Sequence, residues 1–298
     1  MINNVALHHI CAVINTEIQR RSTPLMIRVL DMGCGDGQMI AFLQRMLPQL
    51  NEYVTFEIYG FDVLDSHVQV RDYFDKTFEL LLSEFPHIDW KKRVVQITST
   101  QEWPFPEKFF DYVASNQVME HVFDHDFTFQ QIRRVLKEEG IAVHLFPLKG
   151  CIYEWHLLLP FVHWIANKDL LKEYIKLCSR LGLGRFHQHL ARGGIANLDE
   201  FSTLHADYMI YETNYLSLRG VYALAKRNRM RCSFRYTKEF YRNKIRQVFK
   251  RPFLHTYALK RRAFWERLLL AVLGRLSSIT LILEKNNTYK HDNPTDIS

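Results

Sequence analysis

The 298-residue sequence predicts an α/β fold: a doubly wound, mostly parallel seven-stranded sheet carrying a helical insertion. Three features predict it. Strand-like and helix-like periods alternate from Met26 to Phe146, and a Gly-x-Gly-x-Gly turn (Gly33, Gly35, Gly37) joins the first strand to the helix after it. The alternation then halts near Cys151 and returns only with two late strands.

Taken in order, Val5, Ile10, Val13, Ile14 and Ile18 recur at helical spacing, so residues 5–20 predict a helix lying against the core. Pro24 and the apolar run Met26 to Leu30 begin the first strand, and helical periodicity resumes from Gln38 to Met46. Tyr53 to Phe61 alternates and is rich in aromatic and β-branched residues, a second strand ending at Asp62. Val70, Phe74, Phe78, Leu81 and Leu82 mark the next helix. Strands at Arg93 to Ile97, Asp111 to Ser115 and Ile141 to Phe146, with a helix over Phe127 to Lys137, complete the regular part. Cys151 to Tyr208 reads as helical and aromatic, with the Gly-rich stretch GLGRFHQHLARGG as a mobile loop within it. Tyr215 to Arg227 is a further helix, Arg231 to Tyr236 and Ile279 to Glu284 are closing strands, and the polar tail from Lys285 is expected to fray.

Alternation of this kind implies parallel pairing with right-handed crossovers. Ligands of such sheets sit beyond the carboxyl ends of the strands, which directs attention to residues 31–37, 62–65, 98–103, 116–121 and 147–156.

Bulk properties narrow the class. Five dispersed cysteines without a Cys-x-x-Cys pair suggest neither a disulfide framework nor a zinc site, so reduced thiols and a cytoplasmic location are expected. The start does not read as a signal peptide, and no stretch gives the roughly 20 uninterrupted apolar residues of a membrane span. The net charge of +7 is local: Lys226 to Arg262 holds fourteen Lys or Arg against the single acid Glu239.

A glycine-rich turn lets backbone approach a ligand closely, because a side chain there would occupy the ligand's space. Dinucleotide sites normally use Gly-x-Gly-x-x-Gly. The spacing here is shorter, and Asp31 precedes it; an acid opposes a pyrophosphate but suits an amino group. Asp62 follows Gly33 by 29 residues and stands at a strand end, where a carboxylate can accept from both hydroxyls of a ribose.

VLDMGCGDG, YGFDV, QEWPFPEKFFDYVASNQVMEHV and IRRVLKEEGIAVHLFP, in that order, resemble the class I S-adenosylmethionine-dependent methyltransferases of the small-molecule group, over about residues 27–150. The resemblance implies a Rossmann-like fold with S-adenosyl-L-methionine as cofactor. Carried over by position, Asp31, Gly33, Gly35 and Gly37 line its methionine and ribose part, and Asp62 with Val63 holds the ribose. Ser99, Thr100 and Gln101 sit beside adenine, and Asn116 follows the fourth strand. Many relatives carry Asp where Ser99 or Thr100 stands, so a hydroxyl or the Gln101 amide must receive the adenine amino group. The organisation implied is one methyltransferase domain over 1–298. Within it lie a cofactor-binding core at 24–150, a lid or substrate insertion at 151–214, and basic amphipathic helices at 238–276.

Methyl transfer needs a base only when the acceptor is weakly nucleophilic, and histidine is the side chain best poised for that near neutral pH. His121 follows Glu120 after the fourth strand; its bland alternative is a helix-start residue satisfied by backbone. Glu154, His156 and His163 lie in GCIYEWHLLLPFVHWI, read as a helix bent by Pro160, with a packed aromatic helix as the alternative. His156 is expected to be the base or to orient substrate, supported by His163 and Glu154. The stretch resembles a motif of methyltransferases found near glycan biosynthesis. Gln117, Glu120, His121 and His125 resemble the Glu-x-x-Glu-His of some RNA-terminal 2′-O-methyltransferases, where a divalent ion grips the ribose. Gln117 removes one charge from that set, and no metal is expected.

In the basic segment Tyr241, Ile245, Val248 and Phe249 form an apolar stripe among Arg242, Lys244, Arg246, Lys250 and Arg251. Three partners suit it: the protein's own core, an anionic membrane surface, and, less well, nucleic acid. The function expected is O-methylation of a small-molecule or glycan-like acceptor, with a peripheral membrane contact. The alternatives are an RNA methyltransferase using the basic patch and a non-catalytic cofactor-binding partner protein.

Overall fold

In the computed structural model, residues 4–21, 25–65, 73–258 and 269–286 are described. Helix α1 (Val5–Gln19) starts where the Asn4 side chain accepts from Ala6 N–H, and it buries Ile10, Val13, Ile14 and Ile18 as the helical spacing predicts. There follow β1 (Met26–Met32), α2 (Gln38–Leu50), β2 (Thr55–Val63), α3 (Tyr73–Glu84), β3 (Val94–Ile97), β4 (Phe110–Asn116), α4 (His125–Val135) and β5 (Leu136–Phe146). A two-stranded hairpin, β6 (Tyr153–Glu154) and β7 (Leu159–Pro160), precedes α5 (Lys168–Arg180), α6 (Phe186–Ala191) and α7 (Leu198–Tyr211). The chain returns to the sheet through α8 (Leu218–Arg227), β8 (Met230–Ser233), α9 (Thr237–Val248) and β9 (Ile279–Lys285).

The seven-stranded sheet has the order β3-β2-β1-β4-β5-β9-β8. Strands β1 to β5 pair in parallel, whereas β9 runs antiparallel between β5 and β8. The expected α/β class, with its mostly parallel seven-stranded sheet, is the one observed. Both faces are covered, which is why β1 reads as a nearly continuous apolar run. Ile10, Phe42 and Phe240, from α1, α2 and α9, pack on one face, while Phe129, Ile132 and Val221, from α4 and α8, pack on the other. Chain order reverses between β1 and β4, so the crevice at their carboxyl ends is the place for a ligand.

Several local expectations are corrected. The predicted helix through His156 and His163 is instead the β6–β7 hairpin and a single turn over Val162–Trp164, because Glu154 ties the backbone N–H groups of His156 and Leu157 into a tight loop. The stretch read as a mobile loop contains α6, with Phe186 buried against Phe201 of α7. Helix α4 ends at Val135, and β5 starts at Leu136, two residues before the predicted end of the helix at Lys137. Strand β8 stops at Ser233, because Tyr236 and Thr237 turn into α9 and bury against the core. Lys285, assigned to the fraying tail, is the last residue of β9. Val70, residues 259–268 of the basic segment and the tail from 287 lie outside the described residues.

Leu157, Leu159, Leu171, Ile175, Phe201 and Met209 form a separate apolar cluster between the hairpin and α5–α7. This cluster holds the insertion together, and Asn214 N–H, donating to Glu120 O at 2.6 Å, ties the chain after it to the turn following β4.

Candidate active site

The loop after β1 is held from three sides. Gly33 and Cys34 both donate backbone N–H bonds to Phe61 O at 2.9 Å. Asp62 accepts from Gly35 N–H at 2.7 Å and from Val63 N–H at 2.8 Å. Thr77 of α3 donates to Gly35 O at 2.7 Å. Gly33, Gly35 and Gly37 all have positive φ, at 72°, 56° and 76°. A Cβ on Gly33 would lie 2.7 Å from a Val118 methyl, so glycine is required there by both conformation and space. Asp62 therefore shapes the glycine loop.

Asp31 lies at the centre of the crevice, registered between Gly60 of β2 and Ala114 of β4. Among the described residues neither of its buried carboxylate oxygens has a hydrogen-bond partner, nor does Asn116 Oδ1 at the end of β4. Burial, then the charges of Asp62 and Asp36, push the Asp31 carboxyl well above its usual range. An unpartnered buried carboxylate is costly unless a ligand completes it. A cationic amino group at the mouth of the glycine loop would do so, and S-adenosylmethionine has one. The residues present fit that cofactor on this count.

On the side expected for adenine, Ser99, Thr100 and Gln101 are exposed on a turn after β3. Ser99 donates through its backbone N–H and its hydroxyl to Asp65, at 2.8 and 2.7 Å. Asp65, two residues past the end of β2, thus brings a carboxylate to the β3 turn. Sequence reasoning included it only within the window 62–65, because an Asp in a loop carries no periodic signal.

Beyond β4, Gln117 takes a positive φ of 56° and starts the turn that carries Glu120 and His121. His121 Nδ1 donates to Glu212 O at 2.8 Å, and its Nε2 is 3.5 Å from the Tyr208 hydroxyl. His156 Nδ1 donates to Glu154 Oε1 at 2.6 Å. The Tyr215 hydroxyl donates to the same Glu154 oxygen at 3.3 Å. The His121 and His156 rings are 5.6 Å apart, and Tyr208 lies edge-on or tilted to both. His163 lies against Tyr215 with ring centroids 4.9 Å apart, and among the described residues its ring nitrogens have no hydrogen-bond partner. Glu154, His156, His163, Tyr215 and Gln117 line one small crevice of about 10 Å³, the room of a single water.

The electrostatics of this cluster differ residue by residue. Burial pulls the His156 imidazolium down, but its bond to Glu154 and that residue's charge outweigh burial and leave its pKa above 6.5. Burial raises the Glu154 carboxyl, and His156 together with two backbone N–H groups brings it to a net value below 4.5. Glu120, with both oxygens unpartnered among the described residues, is pushed up to about 8 by burial. Burial lowers His121 and His163.

The expected quartet of Glu154, His156, His163 and His121 is gathered by the hairpin and not by one helical face. Tyr208 and Tyr215 join it unanticipated, since only the packing of the insertion brings them near. His125 is held elsewhere, with Nε2 on Met119 O at 2.9 Å. Glu120, His121 and His156 each bring one potential metal-ligating atom within 4.8 Å of the other two. A divalent ion there would have to displace the proton that Glu120 holds at neutral pH.

No curated protein matches the sequence. Among solved structures the chain is similar to the YcgJ protein of Bacillus subtilis, with 16% identity, 93% of this chain and 99% of that one covered, and a TM-score of 0.44. It is similar to phosphoethanolamine N-methyltransferase 2 of Haemonchus contortus in complex with S-adenosyl-L-methionine, with 16% identity, 91% and 50% of the two chains covered, and a TM-score of 0.44. Geranyl diphosphate C-methyltransferase of Streptomyces coelicolor A3(2) shares 12% identity, with 86% and 68% covered and a TM-score of 0.41. The family profile described as Methyltransferase domain matches residues 6–242, which includes the glycine loop, the Glu120–His121 turn and the whole insertion. The chain belongs to this family of S-adenosylmethionine-dependent methyltransferases.

Proposed function

We propose that this enzyme methylates a hydroxyl of a small-molecule or glycan-like acceptor, with His156 as the general base. S-adenosylmethionine, when bound, supplies a methyl group made electrophilic by its sulfonium. Asp31 and Asn116 bind the amino acid part, Asp62 with Val63 the ribose, and Asp65 with Ser99, Thr100 and Gln101 the adenine side. His156 receives the acceptor's proton at Nε2. Glu154 holds the ring in that tautomer and stabilises the imidazolium that forms. His121, His163, Tyr208 and Tyr215 orient the acceptor and exclude water.

The observation that carries the reading is the 2.6 Å bond from His156 Nδ1 to Glu154, which commits one ring nitrogen and leaves the other to face chemistry. Continuity with the cofactor side supports it, since Gly33 abuts Val118, three residues before His121. A cytoplasmic setting suits the five free thiols.

The test is incubation of the enzyme with isotopically labelled cofactor and cell extracts, with the products read by mass spectrometry. Label on an oxygen of a small or glycan-like molecule is expected, and its loss in His156→Asn. Label on carbon or nitrogen overturns the choice of acceptor atom, and label in RNA favours the nucleic-acid alternative. Cofactor binding without transfer to any extract would favour the non-catalytic one.

A further inference from the structure

Of its apolar stripe, helix α9 packs only Tyr241 against the core. Its core-facing residues are Thr237, Phe240 and Asn243, while Ile245, Val248 and Phe249 remain 59%, 77% and 69% exposed. The exposed row continues onto neighbouring elements. Lys244 Nζ lies 4.8 Å from the centre of the Trp155 ring and 2.9 Å from Ser277 Oγ, which joins α9 to the β6–β7 hairpin and to the segment entering β9. Trp155 and Trp164 on the hairpin side, and Val272 and Leu276 beside β9, are likewise exposed. Lys244 thus sets the α9 row beside Trp155, which lines the acceptor crevice and stands in the chain between Glu154 and His156.

Charge selects the occupant. Lys250 and Arg251 are exposed at the end of the apolar row, and Glu239 is the one acid between 226 and 262. Half-exposed tryptophans beside Lys and Arg are the composition of a lipid interface, where the rings enter the headgroup layer and the cations meet anionic phosphates. Single-stranded nucleic acid would want aromatic rings open for stacking along a cationic groove. Here the outermost groups on α9 are aliphatic as well as aromatic. No helix among the described residues is long and apolar enough to cross a membrane, so the contact is with a surface.

We infer that this face docks on an anionic lipid bilayer, and that the acceptor reaches the His156 crevice from that surface. The second half rests on the function proposed above; the first does not. Docking on the α9 face turns the hairpin toward the headgroups, which suits an acceptor carried on a lipid or otherwise amphiphilic.

The experiment is flotation of the full-length protein with phosphatidylcholine vesicles, with and without phosphatidylglycerol, alongside calorimetric titration of S-adenosylmethionine. Flotation with the anionic vesicles alone is expected, weakening as salt rises. The double variant Val248→Asp/Phe249→Asp and the double variant Lys250→Glu/Arg251→Glu should each weaken it about tenfold or more, with cofactor affinity unchanged. All four positions are exposed, so the fold is not at issue, and the cofactor titration verifies it. Equal flotation with neutral vesicles, no flotation, or tighter binding to single-stranded RNA than to vesicles would overturn the inference. Because neither readout needs an acceptor, failure of the hydroxyl-transfer reading leaves this test standing.

Discussion

Glu154 and His156, with Trp155 alone between them in the chain, are joined by a bond of 2.6 Å, a closeness that the β6–β7 turn imposes. The carboxylate also accepts the backbone N–H groups of His156 and Leu157, so the ring and its support form one rigid unit.

That unit predicts a pH signature. Glu154 holds the His156 pKa above 6.5, so the rate should rise through a limb above that pH as the base loses its proton. Glu154→Gln removes the pull, and the limb should move to lower pH while kcat falls. His156→Asn should lower kcat by about 10²-fold or more. A Glu154→Gln enzyme with an unmoved limb, together with an active His156→Asn, would sink the assignment of the base.

The spacing of Glu120, His121 and His156 makes a second outcome measurable. With the two Nδ1 atoms already committed, an ion would take the Nε2 atoms and the Glu120 carboxylate. Transfer is expected to survive EDTA. Loss of activity in chelator, with recovery on adding a divalent cation, would replace the base by a metal-held acceptor.

Asp31 should separate cofactor affinity from stability. Asp31→Asn keeps the shape and removes a buried ionisable group that has no partner among the described residues. Cofactor affinity is expected to fall about tenfold or more, roughly 1.4 kcal/mol. The ligand-free variant should melt higher than the parent at neutral pH. Unchanged titration curves for the two proteins would show that Asp31 does not face the cofactor.

Burial brings the Glu120 pKa to about 8 in the folded protein, against an ordinary 4.5. The folded state therefore keeps a proton that the unfolded chain has lost, so stability is full below pH 4.5 and declines as pH rises through 8. The slope is at most about 1.4 kcal/mol per unit. Glu120→Gln cannot lose a proton, so its thermal midpoint should vary less across this interval. Parallel midpoint curves would place Glu120 in a wetter setting than its burial indicates.

Far from the site, Arg235 bonds Glu17 of α1 at 2.8 Å and Glu284 of β9 at 3.2 Å, and the Tyr236 hydroxyl donates to Glu17 as well. Arg235→Ala removes the buried cation between the two acids, leaving Glu17 only the half-exposed Arg20 and Glu284 only Arg21, so a loss of about 3 kcal/mol in chemical denaturation is expected. A loss below about 1 kcal/mol, the ordinary size for a surface ion pair, would contradict that burial.

The sequence by itself determined the sheet and the cofactor loop. Parallel strands buried on both faces leave short runs dominated by apolar residues, and a turn needing positive φ at Gly33, Gly35 and Gly37 leaves glycines at fixed spacing. Both constraints are local in the chain and so are legible there. The acceptor side was legible only as residue types. Glu154, His156 and His163 were identifiable as candidates, but their aromatic setting resembled a helix, because the hairpin is created by the Glu154 carboxylate capturing backbone N–H groups. Tyr208 and Tyr215 came from positions more than forty residues away, and Asp65 from the neighbouring strand end. The exposed stripe of α9 could be read as a core face until Phe240 and Asn243 took that role. These choices depend on which long-range packing buries the most apolar surface while leaving the fewest polar groups unpaired, and only the tertiary structure decides that.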